Sequence, residues 1–272
     1  MLSKIMSVGV GGIKVHLIDY PKEPLRTIST MLKATWTKTY APEETDYEMI
    51  KAALKGKALG NALESVQMTF AVEGVSRSFT HQFVRQRIGF GFMQQGGRDV
   101  DWSEHRFTIP ESINDDPEMQ SRYTLAIIGA RDLYNRMLAR GIPYQDARFI
   151  MPIGTSTYIT ATMNFRALQS FIARRLCNGM QWEINYVARL MVAEVRKFLP
   201  ELGDELKCQC EIRKKCVVLE KSTFPPCGFM PADPQTMKWE YPFSNDVNGN
   251  KVFIARDKAL GRKWIPGIDK EE

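Results

Sequence analysis

Between Val66 and Arg87 the apolar pattern changes its period, and that change restricts the fold more than any other feature of the chain. Val66, Met68, Phe70 and Val72 alternate with Gln67, Thr69 and Ala71, the two-residue period of a half-buried strand. From Ser76 to Arg87 the period becomes helical, with Phe79, Phe83 and Val84 on one stripe and Gln82 and Arg85 flanking it. A strand covered on one face and followed directly by a helix belongs to folds that combine helices with a sheet.

The rest of the chain supplies further elements of both kinds. Val15 to Ile18 reads as a short strand, and the cluster Gly9, Gly11 and Gly12 before it reads as a turn. Thr27 to Trp36 and Tyr47 to Leu63 carry helical patterns, the second loosened by Gly56 and Gly60. Ile88 to Gly97 contains Gly89, Gly91, Gly96 and Gly97 with Phe90 and Phe92 as anchors. It is too rich in glycine for a helix and is expected to be a loop that brings backbone close to a ligand. Glu118 to Ala139 is a long amphipathic helix closed by Gly141 and Pro143. A threonine-rich strand follows at Thr155 to Thr162. Asn164 to Leu199 then repeats Leu168, Ile172, Leu176, Ile184, Val187, Met191 and Val195 at helical spacing, with a break or kink at Gly179 and a stop at Pro200. Residues 1–204 are read as one domain. Residues 205–272, richer in cysteine, lysine and proline, are read as an extension packed on it or on a partner subunit, with a hairpin signal at Asn248-Gly249.

Several kinds of chemistry are excluded by what is missing. His16, His81 and His105 lack the spacing of a zinc-protease helix, and no nucleophile elbow, Walker loop or dinucleotide glycine fingerprint occurs. Cys177, Cys208, Cys210, Cys216 and Cys227 are odd in number and do not form paired C-x-x-C motifs, which favours plain thiols over a disulfide framework or a metal site. No apolar run is long enough to span a bilayer, and the N-terminal residues lack a signal core, so a cytoplasmic location is the default. The net charge is +6, and the arginines gather in apolar-patterned segments rather than in exposed blocks. That placement favours a small phosphorylated ligand over nucleic acid.

The chemistry-bearing residues gather in two stretches, Gln82 to Arg98 and Asn164 to Ile184. Both place arginines and carboxamides on an apolar framework. Guanidinium forks bind phosphate in a bidentate way, and carboxamides match the donor and acceptor edges of planar rings. A phosphorylated nucleotide or a flavin suits such a set.

Residues 60–203 resemble the flavin-dependent thymidylate synthases of the ThyX type. The family's R-H-R triplet, followed after a spacer by S-x-R, is matched by Arg85-Gln86-Arg87 and Gly96-Gly97-Arg98. Asp146-Ala147-Arg148 with Met151-Pro152 resembles its A-R-x-x-L-P segment, and Thr162 to Arg166 resembles T-x-N-x-R. Arg175, Cys177 and Gln181-Trp182-Glu183-Ile184 resemble the R-x-C-x-x-A-Q-W-E-I segment. Three positions depart from the pattern: the triplet histidine is Gln86, the motif serine is Gly96, and the G-H-x-S-x-x-E-H segment survives only as Gly60 to Ser65.

The resemblance implies an α/β (α+β) fold with a central mixed sheet flanked by helices, assembled as a homotetramer with active sites shared between subunits. It implies FAD as cofactor, NADPH as reductant, methylenetetrahydrofolate as carbon donor and methylation of dUMP at ring carbon 5, with no side chain attacking the pyrimidine. Arg175 would be the catalytic cation beside the pyrimidine. Gln82, Arg85, Gln94, Gln95, Gly96, Arg98 and Arg148 would join it in holding the nucleotide. Asn61, Arg85, Gln86, Arg87, Gln94, Asn164, Arg166 and Ser170 would contact the flavin. The replaced serine and histidines leave open a related enzyme acting on UMP or dCMP or transferring hydroxymethyl. They also leave open a non-catalytic flavin- or nucleotide-binding subunit.

Overall fold

The computed structural model describes residues 6–9, 11–40, 45–57 and 59–216. The chain opens with β1 (Met6–Val8), a glycine turn and β2 (Lys14–Asp19). Helix α1 (Pro24–Lys33) follows, then α2 (Tyr47–Leu54), whose N-cap Asp46 accepts from the Met49 N–H. The helix expected over Tyr47 to Leu63 ends early. Gly56 adopts φ +69° just past its end, and residues 60–65 form a separate 3₁₀ turn.

Strand β3 (Gln67–Ser76) and helix α3 (Arg77–Phe83) reproduce the change of period seen in the sequence. Met68, Phe70 and Val72 are fully buried, while Gln67 and Glu73 face outward. Ser76 ends the strand and caps α3 by accepting from the Phe79 N–H at 3.1 Å.

The expectation of a ligand-approaching loop over Ile88 to Gly97 needs correction. Phe90–Gln94 forms β4, a strand antiparallel to β6. Phe90 and Phe92 turn inward and meet Phe83, and Phe90 also meets Phe171, at ring separations of 5.1–6.4 Å. Inward aromatic packing and a free sheet edge outweigh the poor strand propensity of Gly91. Gly89 adopts φ +75°, and a Cβ there would lie 2.7 Å from both the Ala167 Cβ and the Asn164 Nδ2. The chain needs glycine at this point because it crosses the start of a helix.

Strand β5 (Phe107–Ile109) pairs in parallel with β1. Three residues are too few for either strand to show a period. A short turn at Glu111–Asn114 leads to α4 (Pro117–Ala139), which buries only Thr124, Ile127 and Tyr134. Beyond the turns at Tyr144–Ala147 and Arg148–Ile150 lies β6 (Ser156–Asn164). Asn164 caps α5 (Phe165–Arg175) through the Ala167 N–H at 2.8 Å. The chain then breaks around Gly179 and resumes as α6 (Trp182–Phe198), and Pro200 starts a further turn. The last described helix is α7 (Gln209–Arg213), which packs against α5. The hairpin signal at Asn248-Gly249 lies outside the described residues.

The main sheet has the order β2-β3-β6-β4 and is antiparallel throughout, while the parallel pairing sits in the β1–β5 ribbon. An antiparallel bridge from Phe107 to Thr155 ties the ribbon to the larger sheet. One face of that sheet, with Val15, Leu17, Phe70, Ile159, Ala161 and Met163, shares a core with Phe171, Ile172, Ile184, Val187 and Met191 from α5 and α6. Polar residues on the other face include Thr69 and Thr162, whose hydroxyls meet at 2.9 Å. Helices thus cover one side of an antiparallel sheet, an α+β arrangement. A smaller cluster of Trp102, Tyr134 and Ala147 joins the loop after β4 to α4.

Candidate functional site

Strand β6 separates the expected site residues into groups. Its first residue, Ser156, pairs with Ser76, and its last, Asn164, pairs with Gln67. Nine residues of strand put those ends about 27 Å apart at roughly 3.4 Å per step.

At the Ser76 end stands Arg77, which sequence reasoning missed. Its guanidinium donates to the Gln95 carbonyl at 3.2 Å and lies 5.3 Å from the centre of the Trp102 ring. Burial lowers its pKa, and the nearby Arg148 guanidinium lowers it further. Arg77 and Arg148 are therefore two close cations, a pair that an anion between them would relieve. The Gln95 side chain meets His105 Nε2 at 3.1 Å, and burial pushes His105 below its ordinary pKa despite Asp101. Gln94 turns the other way and donates to Thr80 on α3 at 3.1 Å. Arg98 is exposed just beyond this loop. The only hint of Arg77 in the sequence is its place at the start of the helix that carries Gln82 and leads to Arg85.

The two glycines before Arg98 differ. A Cβ on Gly97 would fall 2.7 Å from the Trp102 ring, so the indole packs where a side chain would stand. A Cβ on Gly96 would meet nothing closer than the Arg98 nitrogen at 4.0 Å. The position of the missing serine is open space.

Asn61, Asn164 and Arg166 lie at the opposite end of the sheet. Arg166 donates to the Asn61 carboxamide and, at 2.7 Å, to the Glu64 carboxylate. The Asn164 Oδ1 is engaged as the α5 cap. Ser170 is exposed on the same helix. Between the two ends, the Gln86 carboxamide oxygen accepts from Arg174 at 2.8 Å, linking the segment after α3 to the end of α5. Gln82 is half-buried on α3, and Arg85 and Arg87 are exposed, forming no ion pair among the described residues.

Arg175 lies next to that link. Its backbone carbonyl accepts from Asn185 at 2.8 Å, its Nη1 donates to the Met180 sulfur at 3.6 Å, and its buried Nε has no partner among the described residues. Burial lowers its pKa, and Arg174 adds to the effect. A half-buried guanidinium without a carboxylate can stabilise an anion that forms beside it.

Glu183, at the start of α6, joins these parts from beneath. It is 1% exposed and accepts from both the backbone N–H and the hydroxyl of Ser76, the cap of α3. Burial raises its pKa against those bonds. Among the described residues, no three histidine, cysteine or acidic side chains gather to hold a metal ion.

A profile of the family described as thymidylate synthase complementing protein matches residues 16–201. A flavin-dependent thymidylate synthase of Pyrococcus abyssi is 35% identical over 240 residues, 83% of this chain and 97% of that protein. The Thermococcus onnurineus enzyme of the same name is 36% identical over 68% of this chain and 80% of its own length. The chain belongs to the flavin-dependent thymidylate synthase family. Two solved structures share its fold. A UMP/dUMP methylase, PolB, from Streptomyces cacaoi, bound with 5-Br dUMP, aligns at a TM-score of 0.62 and 23% identity, covering 71% of this chain and 94% of that one. Thymidylate synthase X from Helicobacter pylori, with FAD and dUMP, aligns at 0.58 and 19%, covering 72% and 99%.

As a member of this family the chain is a methyl-transferring enzyme. Its departures from the family motifs fall at structurally distinct places. Gln86 is engaged with Arg174, whereas Gly96 leaves its site open.

Proposed function

We propose that this enzyme methylates dUMP at ring carbon 5 to give dTMP, using FAD, with NADPH as reductant and methylenetetrahydrofolate as carbon donor. The observation that carries this reading is Arg175, a half-buried guanidinium that forms no ion pair with a carboxylate among the described residues. Placed against the pyrimidine, it stabilises the negative charge that develops when N3 ionises. Arg77 and Arg148 take the nucleotide phosphate, and Gln94, Gln95 and Arg98 border it. The exposed cations Arg85 and Arg87, without ion pairs among the described residues, fit the pyrophosphate of FAD, and Asn61, Gln86, Asn164, Arg166 and Ser170 lie on its side of the site. The bound flavin supplies the redox chemistry of reducing the transferred carbon. The protein's residues orient the nucleotide and hold its charge.

The separation along β6 supports a site completed between copies of the chain in a homotetramer. So do the outward apolar residues of α4 and the following turn, with Leu125 66% and Phe149 85% exposed. No helix among the described residues is long and apolar enough to cross a membrane, and we assign the enzyme to the cytoplasm. The division into a domain of residues 1–204 and an extension of 205–272 is part of the same proposal.

The test is the visible spectrum of the purified protein with FAD. It is expected to show bound oxidised flavin that NADPH bleaches, followed by dTMP formation once dUMP and methylenetetrahydrofolate are added. Failure to take up flavin overturns the reading. The open space at Gly96 favours one alternative, a pyrimidine nucleotide of different decoration, and product masses from dUMP, UMP and dCMP decide between them.

A further inference from the structure

The nucleotide and flavin sites leave unused a pair of thiols on α7. Cys208 and Cys210 are both buried, at 4% and 7% exposure, and their sulfurs stand 3.2 Å apart, with Cys210 Sγ–H donating to Cys208 Sγ. Cys208 sits at the start of the helix. Its sulfur accepts from the backbone N–H of Glu211, while its own backbone N–H donates to the Glu211 carboxylate at 2.7 Å. Both bonds to the Cys208 sulfur favour its thiolate. In agreement, the Cys210 hydrogen bond draws the Cys208 pKa down, against burial. The sulfurs are closer than two thiols need for packing, yet well short of the bonded distance of about 2.05 Å.

We propose that Cys208 and Cys210 form a reversible thiol–disulfide modification site, closed by a peroxide and reopened by a dithiol. The Cys208 thiolate attacks one peroxide oxygen, the O–O bond breaks, and hydroxide leaves and takes up a proton as water, so Cys208 becomes a sulfenic acid. The Cys210 sulfur then attacks the Cys208 sulfur, the S–O bond breaks, and a second water leaves with the Cys210 proton. Two thiols are oxidised by two electrons, and one peroxide is reduced to two waters. One residue between the cysteines makes the closed ring small and strained. Strained disulfides have the more oxidising potentials, so a dithiol reopens this one readily. Burial limits the oxidant to a small molecule. Because α7 packs on α5, the modification lies one helix away from Arg174 and Arg175.

The experiment uses the full chain treated with hydrogen peroxide, blocked with iodoacetamide and digested with trypsin. Cleavage after Lys207 and Arg213 releases one peptide, Cys208 to Arg213, that carries both cysteines and no other. The expected result is an unalkylated peptide about 2 Da lighter than its reduced form, restored by dithiothreitol. In C210S the sulfenic acid persists at Cys208 and is trapped by dimedone, whereas C208S gives no dimedone adduct at Cys210. Full alkylation of both cysteines after peroxide treatment overturns the proposal. So does cross-linking of this peptide to one carrying Cys177, Cys216 or Cys227. Because the readout is mass rather than turnover, it stands or falls apart from the methylation reading.

Discussion

Arg175 illustrates how the role proposed for one side chain rests on what surrounds it and on what does not. Its backbone is tethered to Asn185, its guanidinium donates to the Met180 thioether among the described residues, and the neighbouring cation Arg174 adds repulsion. Arg175→Ala is expected to lower the rate of methyl transfer on the order of 10²–10³-fold. Folding and flavin uptake stay intact, as circular dichroism and the flavin spectrum would show; full turnover in this variant removes the role. Gly96 and Gly97 form a second contrast at this scale. Gly96→Ser enters open space and is expected to leave the melting temperature unchanged while lowering KM for dUMP, since a hydroxyl returns to the nucleotide loop. Gly97→Ala pushes against Trp102, whose buried ring cannot easily give way, and is expected to cost about 1–3 kcal/mol in a urea titration.

The element that most affects the site is α3, and its position depends on a bond made over a hundred residues downstream. Ser76 caps the helix and also gives two hydrogen bonds to buried Glu183. Ser76→Ala removes the cap and the hydroxyl donor to the buried carboxyl, leaving only the backbone N–H of residue 76 from this pair, an expected loss of about 2–4 kcal/mol. Loss of this clamp also displaces Arg77, so nucleotide affinity falls with it. The carboxyl carries a pH signature. Its folded-state pKa is raised above 4.5 by burial, so the folded protein holds the proton more tightly than the unfolded chain. The resulting contribution is complete below the unfolded value and is lost as pH rises through the folded one. The stability advantage of the native chain over E183Q should therefore be larger near about pH 5 than near about pH 8. An equal advantage at both would show that Glu183 does not titrate there.

For the whole molecule, the outward face of α4 is the outstanding feature. A helix of 23 residues that buries three of them leaves Met119, Leu125, Ile128 and Leu133 exposed, and Phe149 and Ile153 extend the apolar surface beyond it. Surfaces of this kind mark interfaces. Phe149 is also next to Arg148, so an interface there adjoins the proposed phosphate site. Phe149→Asp is expected to shift the protein from the proposed tetramer to smaller species in analytical ultracentrifugation and to reduce turnover in parallel. A native chain that sediments as a monomer with full activity would contradict the shared site.

Local pattern alone determined much of this protein. The period change at Val66 to Arg87, the long helix after Glu118 and the broken helix around Gly179 were all readable, because burial on one face imposes a periodicity on neighbouring residues. Membership of the family was also readable, through the motif arginines and their neighbours. Tertiary structure decided the rest. The run Phe90–Gln94 became a strand only because β6 offered it a partner and an aromatic cluster received Phe90 and Phe92. Arg77 became a candidate only because the loop after β4 and the turn at Arg148 converge on it. The length of β6 then set the expected nucleotide and flavin residues at opposite ends of one chain. Contacts between residues far apart in sequence depend on pairing, and pairing leaves no period in the residues that take part in it.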